Sequence, residues 1–484
     1  MTALLSLLPC AVVIVAVLAF RRSGLVAAGL ALAVAMVLWA AGVFAPARWL
    51  ALPHAVADGL LLTSLVGSVI AAGLFYVEIC RRIGSLAAIG RVIEAMRLDP
   101  PRAAVVLVAG VGVMLESLTG FGVSLLVTVP LLLALFDRSR TIALGLIGMS
   151  LMPWGALSVS ALLGAELAEL PVPVLAAEYL TTSGPVAAIL PLACLVFVPG
   201  VTAASVGFAV AAGGVLVAGI WLTNAAIGVE VAGVGGGLAV LLLAALAAPD
   251  RRRVWRAVAS PPLALLGLLI AGVVAQKLLV PVLADLGLAP VLTTGRVSYA
   301  LLTSPGIALL LTALAGMALW PRTVRRGGSE PLGRHVASRA WRALLTIAVF
   351  LSMARLLVET GGIGALAGLL AEAGAPAAVV IVSALAGVGA YVTGSAVPAA
   401  ALFMPSAAAT GENFGLLPLF AALQHSAAGH MAMASLPIIS ILLASLPNRS
   451  PSDEREALRR GLQLAAVWMA MVIASGWVQL ALPA

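Results

Sequence analysis

Residues 103–136 read AAVVLVAGVGVMLESLTGFGVSLLVTVPLLLALF, and the meaning of this stretch decides the fold. About 17–25 apolar residues cross the hydrocarbon core of a membrane as one helix, so the stretch is too long for a single span. Thr119, Gly120, Phe121 and Gly122 interrupt it, and a carboxylate, Glu116, stands just before the interruption. The basic segment from Arg81 to Arg102 precedes it, and Asp137, Arg138 and Arg140 follow it. Basic residues gather on the cytoplasmic side of a membrane. Both ends are therefore expected in the cytoplasm, which predicts a re-entrant hairpin or a pair of short helices.

Residues 377–410, AAVVIVSALAGVGAYVTGSAVPAAALFMPSAAAT, form a second overlong apolar stretch, broken at Thr393-Gly394-Ser395. Glu372 and Glu412 flank it without an arginine, so this hairpin is expected to open outward. Each hairpin follows one span and precedes another, and the two open to opposite sides. That is the pattern of an inverted-topology repeat, in which substrate sits at the midplane between interrupted segments and one bundle moves against the other. Non-helical backbone is tolerated at that depth only where protein or water covers it.

The rest of the chain supports this reading. Of the 484 residues 63% are hydrophobic and 10% charged, which leaves too little polar surface for a soluble protein of this length. Apolar spans are expected at 3–20, 24–44, 56–79, 141–163, 183–199, 201–222, 227–248, 259–282, 298–320, 343–359, 415–446 and 462–481. The predicted class is an all-α integral membrane protein of about 12 transmembrane helices plus two re-entrant hairpins. Its expected parts are a first half, 1–250, holding hairpin 103–136. Connecting spans and a basic cytoplasmic loop follow at 251–340, and a second hairpin-containing repeat at 341–484. The first apolar run precedes Arg21 and Arg22, the order of an anchor with its N-terminus outside rather than a cleaved signal. The same threading puts the C-terminus outside. It leaves only Arg48, Lys277, Arg296 and Arg355 off the cytoplasmic side.

Several functions are excluded at this level. The net charge of +8 lies in short arginine runs between spans, so it reports topology rather than nucleic-acid binding. Arg251–Arg256 and Arg322–Arg342 also suit lipid headgroups. Cys10, Cys80 and Cys194 sit in or beside apolar segments and read as packing residues. No nucleophile–base pair, metal motif or nucleotide loop marks a membrane enzyme, so no cofactor or metal is expected. No soluble domain suggests a signalling protein.

Individual residues point to transport. Glu116 is an intramembrane carboxylate, a functional candidate by default, able to carry a proton or merely to cap a broken helix. Gly120, Phe121 and Gly122 form a turn whose backbone N–H groups can face a carboxylate. Thr393, Gly394 and Ser395 form its counterpart, with hydroxyls as further donors, and Thr119 opens the first turn. His425 and His430 lie with Gln424 in Ala421–Ser435, where a proton relay or anion contact competes with plain packing. Arg355 and Glu359 are spaced to pair on one helix face. Lys277 is the single lysine and is expected to snorkel toward the interface.

The segment Leu115-Glu-Ser-Leu-Thr-Gly-Phe-Gly-Val123, followed by Asp137-Arg138 and Ala143-Leu-Gly-Leu-Ile147, resembles the lactate permease family. Tyr391-Val-Thr-Gly-Ser395 with Ala401-Leu-Phe403, and Gly429-His430-Met431, resemble that family's second half. The resemblance covers roughly 100–165 and 340–484. Ala396 stands where the family continues with Asp, Ala400 where it has Asn, and His430 where it has Lys. The family's Asn-Thr pair has no counterpart around Met149 to Pro153. The resemblance implies proton-coupled symport of lactate, glycolate or a related 2-hydroxy monocarboxylate. Another anion (dicarboxylate, gluconate or inorganic oxyanion) on a related hairpin fold is the alternative. The expected partners are the anion, protons and lipids, with self-association left open. Abundant Ala and Arg point to a bacterial cytoplasmic membrane.

Overall fold

The computed structural model describes residues 5–44, 49–120, 122–294, 297–326 and 331–482, without the side chains of 325 and 326. Phe121, Arg48 and Arg296 fall outside the described residues. Among those described, nine helices are long and apolar enough to cross a membrane, from Ala51–Ile83 to Pro451–Ala481. The number is ten if the bent pair Arg138–Gly148 and Met152–Leu167 is one span. Shorter apolar helices such as Leu8–Leu18, Gly24–Ala40 and Pro305–Leu319 accompany them. The chain is a helical, multi-pass membrane protein.

Each overlong stretch folds as helix, turn, helix. Pro100–Thr119 leads to Gly120 and Gly122, and Val123–Leu133 follows. Ala375–Thr393 leads to Gly394 and Ser395, and Ala396–Asn413 follows. Gly120, Gly122 and Gly394 all have positive φ, at 66°, 73° and 80°, a region that costs side chains with a Cβ roughly 1–2 kcal/mol. The first limb also changes hydrogen-bond pattern midway, with a π-helical stretch at Val106–Gly112. Such stretches cluster at functional sites.

An interrupted helix follows each hairpin; the sequence marks the second as a weakly polar interruption at Ala421–Ser435 and gives no sign of the first. The expected span 141–163 is two helices, Arg138–Gly148 and Met152–Leu167, bent by 50°. Just beyond the bend Ala156, Leu157 and Ser158 take left-handed backbone. The expected span 415–446 is Leu417–Ala432 and Leu436–Ala444, parted by Met433–Ser435. The chain thus twice builds a hairpin followed by an interrupted helix.

A second departure lies at 298–320. Val291–Thr294 pairs antiparallel with Val297–Ala300, Val291 opposite Ala300, the single exception to an all-helical fold among the described residues. The β-branched run there favours strand. The helix starts only at Pro305, where Ser304 accepts from the Gly306 N–H at 3.2 Å and proline suits the first turn.

Small residues set the packing. Gly233 and Gly237 lie one turn apart on Ala232–Ala247. A Cβ at Gly237 would come within 2.7 Å of the Gly110 carbonyl and the Met114 nitrogen on the first hairpin limb. Backbones at that distance gain dispersion contacts, the main attraction between helices in lipid. Ala51–Ile83 runs along Leu332–Glu359 in the same close manner, Gly59 lying against the Ser352 backbone. Arg138, at the foot of the first hairpin, donates to Asp453 at 2.8 Å and to the Pro447 and Asn448 carbonyls.

Two charged residues do not behave as expected. Arg355 does not pair with Glu359. Its guanidinium donates to Asp58 Oδ2 from Nε at 3.2 Å and Nη2 at 3.0 Å, with both side chains buried. Lys277 does not simply snorkel; its ammonium meets Glu230 at 2.5 Å. Burial favours these pairings, because a charge left unpaired in an apolar interior is strongly destabilising. The signal was present in the sequence: Asp58 and Glu230 are carboxylates inside the expected spans 56–79 and 227–248.

Candidate functional site

The two hairpin turns, distant in sequence, meet at one cavity of about 130 Å3. The first hairpin contributes Glu116 and Gly120, and the second contributes Gly394, Ser395, Ala396 and Val397. The stretches after the two helix breaks complete it, with Met152, Gly155, Ala156, Val159 and Ser160 from one and Pro437, Ile438 and Ile441 from the other. Close contact explains both glycines. A Cβ at Gly120 would sit 2.5 Å from the Ala156 Cβ, and one at Gly394 2.5 Å from Pro437 Cγ.

Glu116 is 2% exposed and clasps its own hairpin. The Gly122 N–H donates to Oε1 at 3.1 Å, and Ser124 Oγ donates to Oε2 at 2.9 Å. Its carboxyl therefore caps the N-terminus of Val123–Leu133, where partial positive charge accumulates. The second hairpin has no such carboxyl. Ser395 Oγ accepts from the Val397 N–H at 3.3 Å, and the first turn of Ala396–Asn413 borders the cavity. The two helix N-termini at the cavity thus differ, one capped from within by Glu116 and the other by a neutral hydroxyl.

The threonines supply fewer donors than expected. Thr119 Oγ1 donates to the Leu115 carbonyl at 2.5 Å and Thr393 Oγ1 to the Gly389 carbonyl at 2.7 Å. Their protons serve the preceding helical turn, and only their lone pairs remain. Gly122 packs against Ile441 and presents its N–H to Glu116 rather than to the cavity. Ser160, which the sequence reading passed over, lines the cavity. Nothing in its local sequence separates it from the other small residues of the span.

His425 and His430 are fully buried but do not line this cavity. They satisfy the backbone that the helix break sets free. His430 Nδ1 donates to the Ser150 carbonyl at 2.6 Å, and His425 Nε2 donates to the Pro153 carbonyl at 3.1 Å. His430 Nε2 lies 3.0 Å from Ser183 Oγ, in a hydroxyl cluster with Thr182 and Ser426. Gly429 lets the helix approach, since a Cβ there would lie 2.5 Å from Pro153 Cγ. His425 Nδ1 has no hydrogen-bond partner among the described residues, and neither has Gln424 Oε1. Among the described residues no group of His, Cys, Asp and Glu could hold a metal ion.

No curated protein matches the chain. The family model for L-lactate permease matches residues 279–480. That stretch takes in the second hairpin, the second helix break and both histidines, and over it the chain is similar to the lactate permease family.

Proposed function

We propose that the protein is a secondary transporter of a small 2-hydroxy monocarboxylate, such as lactate or glycolate, moved together with a proton by alternating access. The observation that carries this reading is the single cavity shared by the two hairpin turns, with one buried carboxyl at its edge. The substrate carboxylate binds at the N-terminus of Ala396–Asn413, because Glu116 already occupies that of Val123–Leu133. Ser160 and Ser395 are the side-chain hydroxyls at the wall that can meet the 2-hydroxyl and the carboxylate.

Charge supports proton coupling. Among the described residues no arginine, lysine or histidine borders the cavity. An anion beside an ionised Glu116 would meet a like charge, which disfavours both. A proton on Glu116 removes that conflict, so anion and proton enter together. His425 and His430 hold the rim in place through Pro153 and Ser150 and relay protons from behind it. The recurrence of hairpin and interrupted helix supports two repeats of opposite orientation, rocking about the cavity. The N- and C-termini lie outside in this arrangement, in a bacterial cytoplasmic membrane.

The wall favours a monocarboxylate over a dicarboxylate or gluconate. Ala396, Val397, Pro437, Ile438, Ile441 and Val159 give an apolar lining with few hydroxyls, and polar groups buried without partners are costly. The test is uptake of labelled lactate and glycolate into proteoliposomes under an inward proton gradient. Uptake that collapses with a protonophore and is competed by short monocarboxylates, not by succinate or gluconate, supports the proposal. Uptake indifferent to the gradient refutes the coupling, and competition by succinate or gluconate refutes the substrate class.

A further inference from the structure

A second cavity, of about 610 Å3, lies between the start of Val172–Leu195 and the end of Ala203–Ala226. Its polar wall is the ion pair of Lys277 with Glu230, together with Asn224 and Thr181. Glu230 is 3% exposed, and its Oε2 has no hydrogen-bond partner among the described residues. Lys277 is the more exposed half of the pair, with 36% of its side chain exposed. Gly228 is required beside them: its φ is 144°, and a Cβ there would sit 2.7 Å from Glu230 Oε2 and 3.2 Å from Lys277 Nζ.

We propose that this pocket is a docking site for a small carboxylate anion, in which Lys277 passes from Glu230 to the anion as Glu230 takes up a proton. The argument is charge balance. The resting pair is neutral, and an anion entering alone would leave a net negative charge beside a buried carboxylate, which is strongly disfavoured. A proton arriving with it keeps the site neutral. Lysine suits this exchange, being a compact charge on a flexible stem. Among the described residues the other titratable group facing Glu230 is Tyr179, whose buried hydroxyl is close enough to interact with it electrostatically. No further charged side chain among the described residues forms a salt bridge with Glu230. The site adjoins the hairpin-turn cavity, since Ser158 Oγ donates to the Val229 carbonyl at 2.8 Å and Gly155, Ala156, Val159 and Ser160 line that cavity. Anion and proton are thus gathered one step before the position where they are proposed to cross.

The choice of a small carboxylate rests on the transport reading above, but the site can be tested without transport. Trp221 lines the pocket, so the fluorescence change that Trp221→Phe removes reports this site alone. Lactate and acetate are titrated into the detergent-purified full-length protein from neutral to acid pH. The expected affinity rises on acidification, by up to about tenfold per pH unit for one linked proton. Glu230→Gln, with Lys277 released, binds tightly at every pH, and Glu230→Gln/Lys277→Gln loses the signal while keeping the wild-type unfolding profile. Equal affinity and pH dependence in wild type and Glu230→Gln, or no Trp221-dependent signal with either anion, overturns the proposal. If the signal behaves as expected but proteoliposomes take up nothing, the site stands and the transport reading falls. If uptake runs and the signal is absent, the reverse holds.

Discussion

Replacing Glu116 by Gln separates its capping of the hairpin from the proton uptake proposed for it, because Gln keeps the shape and cannot take up a proton. The carboxyl accepts from the Gly122 N–H at 3.1 Å and from Ser124 Oγ at 2.9 Å. In Glu116→Gln the amide oxygen keeps the bond from Gly122, and the amide nitrogen donates to Ser124, whose hydroxyl rotates to accept. Two charge-assisted bonds become neutral ones, a loss of about 1 kcal/mol each. Glu116→Ala strips both buried donors of their acceptor at about 1–3 kcal/mol each, roughly 2–6 kcal/mol in total. That is a large part of the 5–15 kcal/mol typical of a folded domain. Gln should therefore insert and lower the unfolding midpoint modestly, whereas Ala should lower it further in a thermal scan in detergent. In proteoliposomes Glu116→Gln should lose accumulation driven by a proton gradient. It should keep exchange of labelled for unlabelled lactate at equal concentrations, since exchange needs no net proton movement. Gradient-driven accumulation at the wild-type rate in Glu116→Gln would refute the reasoning.

Other perturbations follow from the same geometry. Gly394→Ala places a Cβ 2.5 Å from the Pro437 ring at a φ of 80°. About 1–2 kcal/mol of backbone strain adds to that clash, and transport should fall to background while Gly364→Ala, which meets nothing within 4 Å, stays active. Asp58→Ala leaves Arg355 buried without a counter-charge and should cost about 3–5 kcal/mol, seen as a lower unfolding midpoint. Asp58→Ala/Arg355→Met should recover most of it, and a double variant no better than the single one would contradict a structural ion pair. Ser160→Ala removes a hydroxyl from the cavity wall without breaking a hydrogen bond among the described residues. It should raise the KM for lactate about tenfold, the worth of roughly 1.4 kcal/mol, and hardly affect propionate, which lacks the 2-hydroxyl. Equal effects on the two substrates would take Ser160 out of the binding site.

The sequence by itself determined the membrane class, most of the spans and the two interruptions. These rest on local quantities: apolar length, the placement of arginines, and glycine at turns where a Cβ would strain the backbone. Gly120 and Gly394 were legible for that reason, and Glu116 because a carboxylate between apolar limbs has few structural roles. The break at Met149–Leu151 was not legible, since it holds no glycine and only Ser150 among apolar neighbours, whereas the one at Met433–Ser435 falls in the weakly polar stretch Ala421–Ser435. Long-range partners make them stable. His430 and His425 satisfy the carbonyls of Ser150 and Pro153 across more than two hundred residues of chain. The same holds for Arg355, which local spacing assigns to Glu359 and packing assigns to Asp58. Spacing along a helix limits which side chains can meet, but a buried charge goes wherever the fold brings an opposite charge out of water. That the two turns close one cavity, with Ser160 at its wall and the histidines behind it, is a property of the packed helices. Only the tertiary structure could decide it, because the residues that meet there are set by backbone approach between distant segments.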